Sequence, residues 1–111
     1  MPLINIETST KISDKNEFMK KSSSLIASIT GKSENFVMVK VNDEVSMYFA
    51  GDSSPTCFVQ LKSIGSINPP RMSKSICEFI NIELGIPFDR IYINFQDIKP
   101  SEWGWKMTTF G

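Results

Sequence analysis

Pro2 could do chemistry that no internal residue can. A small second residue permits removal of the initiator methionine, and loss of Met1 leaves a free prolyl secondary amine. An ordinary α-amine has a pKa near 8, and a secondary amine lies somewhat higher. It becomes a base at neutral pH only where apolar surroundings or a neighbouring cation disfavour its protonated form. The bland alternative is a proline that simply opens a strand. Lys32, directly after Gly31, is the candidate cation. Taken alone it is also a solvated lysine, well placed near a helix C-terminus.

Tyr92 and Asn94 stand two apart in an apolar run, so both project from one face of a strand. An asparagine there needs hydrogen-bond partners or it costs about 1–3 kcal/mol. A ligand or a bond across a subunit boundary would serve. Ser63-Ile64-Gly65 ends another strand and could offer a free backbone N–H to an anion. Trp103, Trp105 and Phe110 supply aromatic surface near the C-terminus, either to cap a core or to grip a ring.

Composition removes most other chemistry. Histidine is absent, which excludes a Ser-His dyad and the commonest metal ligand. Twelve basic and twelve acidic residues cancel, so no electrostatic nucleic-acid surface is expected. Cys57 and Cys77 make neither a disulfide framework nor a zinc pattern and read as buried thiols. No apolar run has the length of a signal peptide or a membrane span. The expectation is a cytoplasmic protein without membrane insertion, reaching the outside only by a non-classical route.

These residues must be positioned by one domain of 111 residues. The chain repeats itself: Gly85 and Asp97 follow Gly31 and Asp43 at the same interval, and Ile91, Ile93 and Phe95 fall on Val37, Val39 and Val41. The pseudo-repeat runs over about 2–43 and 56–97 and describes one strand–helix–strand unit used twice. In the first unit, residues about 2–7 form a strand and Asp14-x-x-Glu17 resembles a capping box. Phe18, Ser22, Leu25 and Ile29 recur at helical spacing, and Gly31 closes the helix. A brief strand is expected around Met47–Phe49. In the second, Cys57–Ser63 is a strand and Asn68-Pro69-Pro70 starts a helix with the stripe Met72, Ile76, Ile80 and Leu84. Gly85 and Pro87 stop it.

The fold expected is α+β: two βαβ repeats forming a mixed four-stranded sheet with two helices on one face, plus short edge strands. Alternation sends Phe36, Met38 and Tyr92 to the side opposite Val37 and Ile91. One layer of helices cannot cover both sides, so a second apolar face and an oligomer are expected.

Pro2, Thr30-Gly31-Lys32, Ser63-Ile64-Gly65, Asp89-Arg90-Ile91-Tyr92-Ile93-Asn94-Phe95 and Gly104-Trp105 with Thr109-Phe110 together resemble the macrophage migration inhibitory factor family of the tautomerase superfamily. The resemblance covers the whole chain. It implies a homotrimer whose sheets wrap into a barrel, with active sites at subunit boundaries. Pro2, Lys32 and Ile64 would come from one subunit and Tyr92 and Asn94 from its neighbour.

The activity implied is keto–enol isomerisation of aryl α-keto acids (phenylpyruvate or its 4-hydroxy relative) and dopachrome-like compounds. Pro2 would be the base. Lys32 and the Ile64 backbone would hold the carboxylate, Asn94 would bond a ring hydroxyl, and Tyr92, Trp105 and Phe110 would enclose the ring. No metal or organic cofactor is implied. The alternative implied by the same family is a cytokine-like protein recognised by a cell-surface receptor, with weak or vestigial catalysis. A third and weaker reading of the strand–helix repeat is a ferredoxin-like small-molecule or RNA module, against which the neutral charge argues.

The chain departs from the family pattern in three places. Cys57 is followed by Phe58, Val59 and Gln60, so the family's Cys-x-x-Cys and its thiol-oxidoreductase activity are not expected. Lys11-Ile12 stands where several relatives carry an arginine linked to receptor contact. Trp103 is bulkier than the usual residue and is expected to narrow the pocket.

Overall fold

A computed structural model describes residues 1–111. The first strand, β1 (Leu3–Thr8), leads into helix α1 (Lys15–Thr30) and strand β2 (Met38–Asn42). Strand β3 (Cys57–Ser63), helix α2 (Pro69–Leu84) and strand β4 (Ile91–Asp97) repeat the pattern. A hairpin of β5 (Gly104–Trp105) and β6 (Thr108–Thr109) closes the chain. The main sheet runs in the order β2-β1-β3-β4. β1 pairs parallel with β2 and β3 parallel with β4, while β1 and β3 join the two units antiparallel. The mixed four-stranded sheet with two helices is thus as the sequence predicts.

Both helices begin and end on local chemistry. Asp14 caps α1 by accepting from the Glu17 N–H at 3.0 Å, one half of the capping box. Asn68 caps α2, whose first turn takes Pro69 and Pro70. Gly31 and Gly85 each end their helix at φ 70°, the left-handed conformation that glycine adopts without a Cβ penalty.

One face of the sheet holds the core. Ile4 and Ile6 of β1 and Val59 and Leu61 of β3 are fully buried against Phe18 and Ile26 of α1 and Met72, Ile76 and Ile80 of α2. Phe18 and Phe79 stack at 5.4 Å and tie the helices together. The buried stripe of α1 is Phe18, Ser22, Ile26 and Thr30, with Leu25 and Ile29 half-buried beside it. The buried face therefore carries two hydroxyls, the expected Ser22 and, in addition, Thr30. They are tolerated because Ser22 Oγ donates to the Phe18 carbonyl at 2.8 Å and Thr30 Oγ1 to the Ile26 carbonyl at 2.6 Å.

Two expectations need correction. No strand forms at Met47–Phe49; only an isolated bridge links Phe49 to Asp52. The loop is held from outside by Arg90, which donates to the carbonyls of Phe49, Ser54 and Pro55 at 2.9–3.1 Å and pairs with Asp52 at 3.1 Å. Those bonds satisfy the backbone that a strand would otherwise have paired. The second face, moreover, is apolar only in part. Met38 and Tyr92 do project there, 65% and 63% exposed. Between them runs a polar row, Lys40, Asn5, Gln60 and Asn94, joined across the strands in register. Asn5 Nδ2 donates to Gln60 Oε1 at 3.2 Å within that row.

Candidate active site

Pro2 is buried at the start of β1, where its carbonyl accepts the Met38 N–H at 3.0 Å. Its neighbours therefore have fixed positions. A cleft of about 550 Å³ opens beside it, lined by Met1, Pro2, Leu3, Asn35, Phe36, Val37, Met38, Lys62, Ile98, Glu102, Trp103, Gly104, Trp105 and Phe110.

The aromatic wall of the cleft comes from the C-terminal hairpin. Its turn residues Lys106 and Met107 sit at φ 51° and 66°, the pair of positive values that a tight two-residue hairpin turn requires. The turn presents Trp105 against Phe110, stacked at 5.5 Å and nearly parallel, while Phe36 meets the Trp105 edge at 5.7 Å. Lys106 Nζ lies 4.6 Å from the centre of the Trp105 ring. A flat apolar slot beside Pro2 results, suited to an aromatic ring. Trp103 lines the same cleft, and its carbonyl accepts the Phe110 N–H at 3.2 Å.

In the chain as it stands, the Pro2 nitrogen is in peptide linkage to Met1. The Met1 amine has its pKa lowered, first by burial and then by the positive charge of Lys32. Lys32 does not line the cleft, but its charge reaches the N-terminus. Gly65 N–H is taken by Asp97 Oδ1 at 2.9 Å, whereas the Ile64 N–H makes no hydrogen bond within the subunit.

The residues picked from the sequence thus fall into three groups. Pro2, Trp105 and Phe110 share the cleft. Lys32 and Ile64 lie outside its lining. Tyr92 and Asn94 sit on β4, the edge strand opposite β2, where Tyr92 packs on Phe49 at 4.7 Å. A single subunit does not bring these two to Pro2. Sequence reasoning missed Phe36 as part of the wall and Lys62 as a cation in the cleft. Lys62 was findable, since alternation along β3 puts it on the face away from the helices, directly opposite Leu3.

Comparison with known proteins places this arrangement. The family model described as macrophage migration inhibitory factor (MIF) matches residues 1–111. The chain is 34% identical over 114 residues to the macrophage migration inhibitory factor homolog of Trichinella spiralis, covering 99% of this chain and 100% of that protein. It is 35% identical to the Brugia malayi homolog, with both covered in full. Among solved structures, the macrophage migration inhibitory factor homologue from Prochlorococcus marinus superimposes with a TM-score of 0.93 at 42% identity, covering 98% of this chain and 99% of that one. This chain belongs to the macrophage migration inhibitory factor family. No helix is long and apolar enough to cross a membrane.

Proposed function

We propose that this protein is a keto–enol tautomerase of aryl α-keto acids, phenylpyruvate or its 4-hydroxy relative, and of dopachrome-like compounds, with Pro2 as base once Met1 is removed. The observation that carries this is the placing of a buried Pro2 beside the Trp105–Phe110 slot. An amine freed at Pro2 lies one residue deeper than the Met1 amine, whose pKa burial and Lys32 already lower. The same influences would lower the pKa of the Pro2 amine, and its neutral form can accept a proton.

In the reaction, the Pro2 nitrogen takes a proton from the carbon next to the substrate's carbonyl. The electron pair of that C–H bond becomes the new C=C bond, and the charge moves to the carbonyl oxygen. The protonated amine then returns the proton to that oxygen, giving the enol; the reverse sequence restores the ketone. Lys32 and the free Ile64 N–H hold the carboxylate, while Trp105 and Phe110 take the ring. Tyr92 and Asn94 reach the site from a neighbouring subunit of a homotrimer, Tyr92 against the ring and Asn94 on a ring hydroxyl. Exposed Phe36, Met38 and Tyr92 support that assembly, since apolar side chains of this size favour a covered position.

The test is phenylpyruvate tautomerisation by protein lacking Met1, beside its Pro2→Gly variant. The variant should lose activity by about 10²–10⁴-fold, the usual contribution of a general base, and keep its oligomeric state. A processed, folded and inactive wild-type protein would remove the enzymatic reading and leave a receptor-binding role.

A further inference from the structure

Lys62 is an unpaired cation inside the cleft. Alternation along β3 buries Cys57, Val59, Leu61 and Ser63 against the helices, which leaves Phe58, Gln60 and Lys62 on the other face. In the antiparallel register Lys62 stands opposite Leu3, the residue that follows Pro2. Directly opposed residues of an antiparallel pair lie about 5 Å apart, well within the length of a lysine side chain. Leu3, Met38 and Lys62 form one row across three strands, and all three line the cleft.

A half-buried ammonium usually finds a carboxylate or a carbonyl. Lys62 has neither: no ion pair within 4.0 Å and no hydrogen bond is made by its side chain. Glu102 is the only acidic residue lining the cleft, and it too is unpaired and exposed. Lys62, the only lysine or arginine in the cleft lining, therefore keeps its donors free for an incoming anion, whereas Lys106 lies over the Trp105 ring. Lys32 differs in kind, because its charge acts on the N-terminal amine without lining the cleft.

We propose that Lys62 is a further substrate-binding residue that grips the carboxylate of the α-keto acid from the β3 side of Pro2, in addition to Lys32 and the Ile64 N–H. The inference rests on the tautomerase reading for the identity of the substrate, but not for the presence of an anion site. It gives the cleft a preference for anionic over neutral aromatic ligands, set by a residue of the same subunit as the base. The lysine stem crosses the row beside Leu3, and the ammonium meets the carboxylate where the ring enters the slot.

The experiment compares the wild type with Lys62→Met and Lys62→Arg, all shown to lack Met1 and to melt at the same temperature. Phenylpyruvate and its methyl ester are the paired substrates. Lys62→Met should lower the ratio of acid to ester kcat/KM by about tenfold, the size expected of one charge-assisted contact, chiefly through KM for the acid. Lys62→Arg should restore most of it. A ratio unchanged in Lys62→Met, or acid and ester falling together, would overturn the proposal. Equilibrium binding of trans-cinnamate, which has the ring and carboxylate but no keto carbon, reads the same site without catalysis. Weakening of about tenfold in Lys62→Met would uphold the anion site even in an inactive protein; equal affinity would remove it.

Discussion

The Met38 backbone N–H donates to the Pro2 carbonyl at 3.0 Å, so the residue ahead of β1 is already part of the sheet. The same contact ties Pro2 to the start of β2, just past the segment that carries Lys32 and Phe36. The candidate base, the cation that acts on it and one aromatic wall are thereby linked through a single backbone hydrogen bond.

Lys32 disfavours the charged form of the N-terminal amine, after burial itself. Removing its charge in Lys32→Met therefore raises the amine's pKa. Activity that depends on the neutral amine should then fall off at a higher pH than in the wild type. The pH profile of kcat/KM on Met1-free protein checks this. An acid limb that stays in place, or moves to lower pH, contradicts the role given to Lys32.

The hairpin that carries Trp105 and Phe110 stores backbone strain at Met107, an L-residue at φ 66° with its side chain fully in solvent. Left-handed backbone costs an L-residue roughly 1–2 kcal/mol. Met107→Gly should relieve about 1 kcal/mol of this without loss of packing. Thermal melting is the check, and a fall in melting temperature would show that the turn is held by other means.

Cys57 is 1% exposed, and burial, with the neighbouring Cys77 adding to it, pushes its thiol up to about 12. Almost no thiolate exists at pH 8, and thiolate is the reactive form. Cys57 should resist iodoacetamide in the native protein and react only as the chain unfolds, with Cys77 labelled first. Peptide mapping after timed labelling decides it. Rapid native labelling of Cys57 would contradict the burial.

Asp43 fastens the loop after β2 to the start of α1. Its Oδ2 accepts the Ile12 N–H at 2.9 Å, and Lys15 Nζ lies 2.9 Å from Oδ1. These contacts, the Ile12 bond first, hold its carboxyl below the ordinary value. A carboxyl depressed in the folded state contributes stability that is present above its unfolded pKa of about 3.9 and lost as pH falls through the folded value. The melting temperature should fall on acidification below about pH 4, and less steeply in Asp43→Asn. Parallel curves for the two proteins would count against this contribution.

The sequence showed the frame of the fold more readily than the cleft. Helix ends were readable because Asp14, Asn68, Gly31 and Gly85 act on their own neighbours along the chain. The strands were readable because alternation at Ile91, Ile93 and Phe95 has a short period. The Met47–Phe49 segment was not, since what shapes it is Arg90, some forty residues away, gripping three loop carbonyls. Thr30 entered the core through a bond to the Ile26 carbonyl one turn back, which an apolar stripe does not anticipate. The cleft draws on the N-terminus, the entry to β2, the end of β3 and the C-terminal hairpin. No local pattern announces that Phe36 lines the cleft with Pro2, and alternation along β3 gives only the face on which Lys62 stands.

The most direct test of the central claim separates protein that retains Met1 from protein that has lost it, by intact mass, and assays both for phenylpyruvate tautomerisation. Activity is expected only in the species that begins at Pro2, because with Met1 present the proline nitrogen is a non-basic amide. Equal activity in the two species would contradict Pro2 as the base.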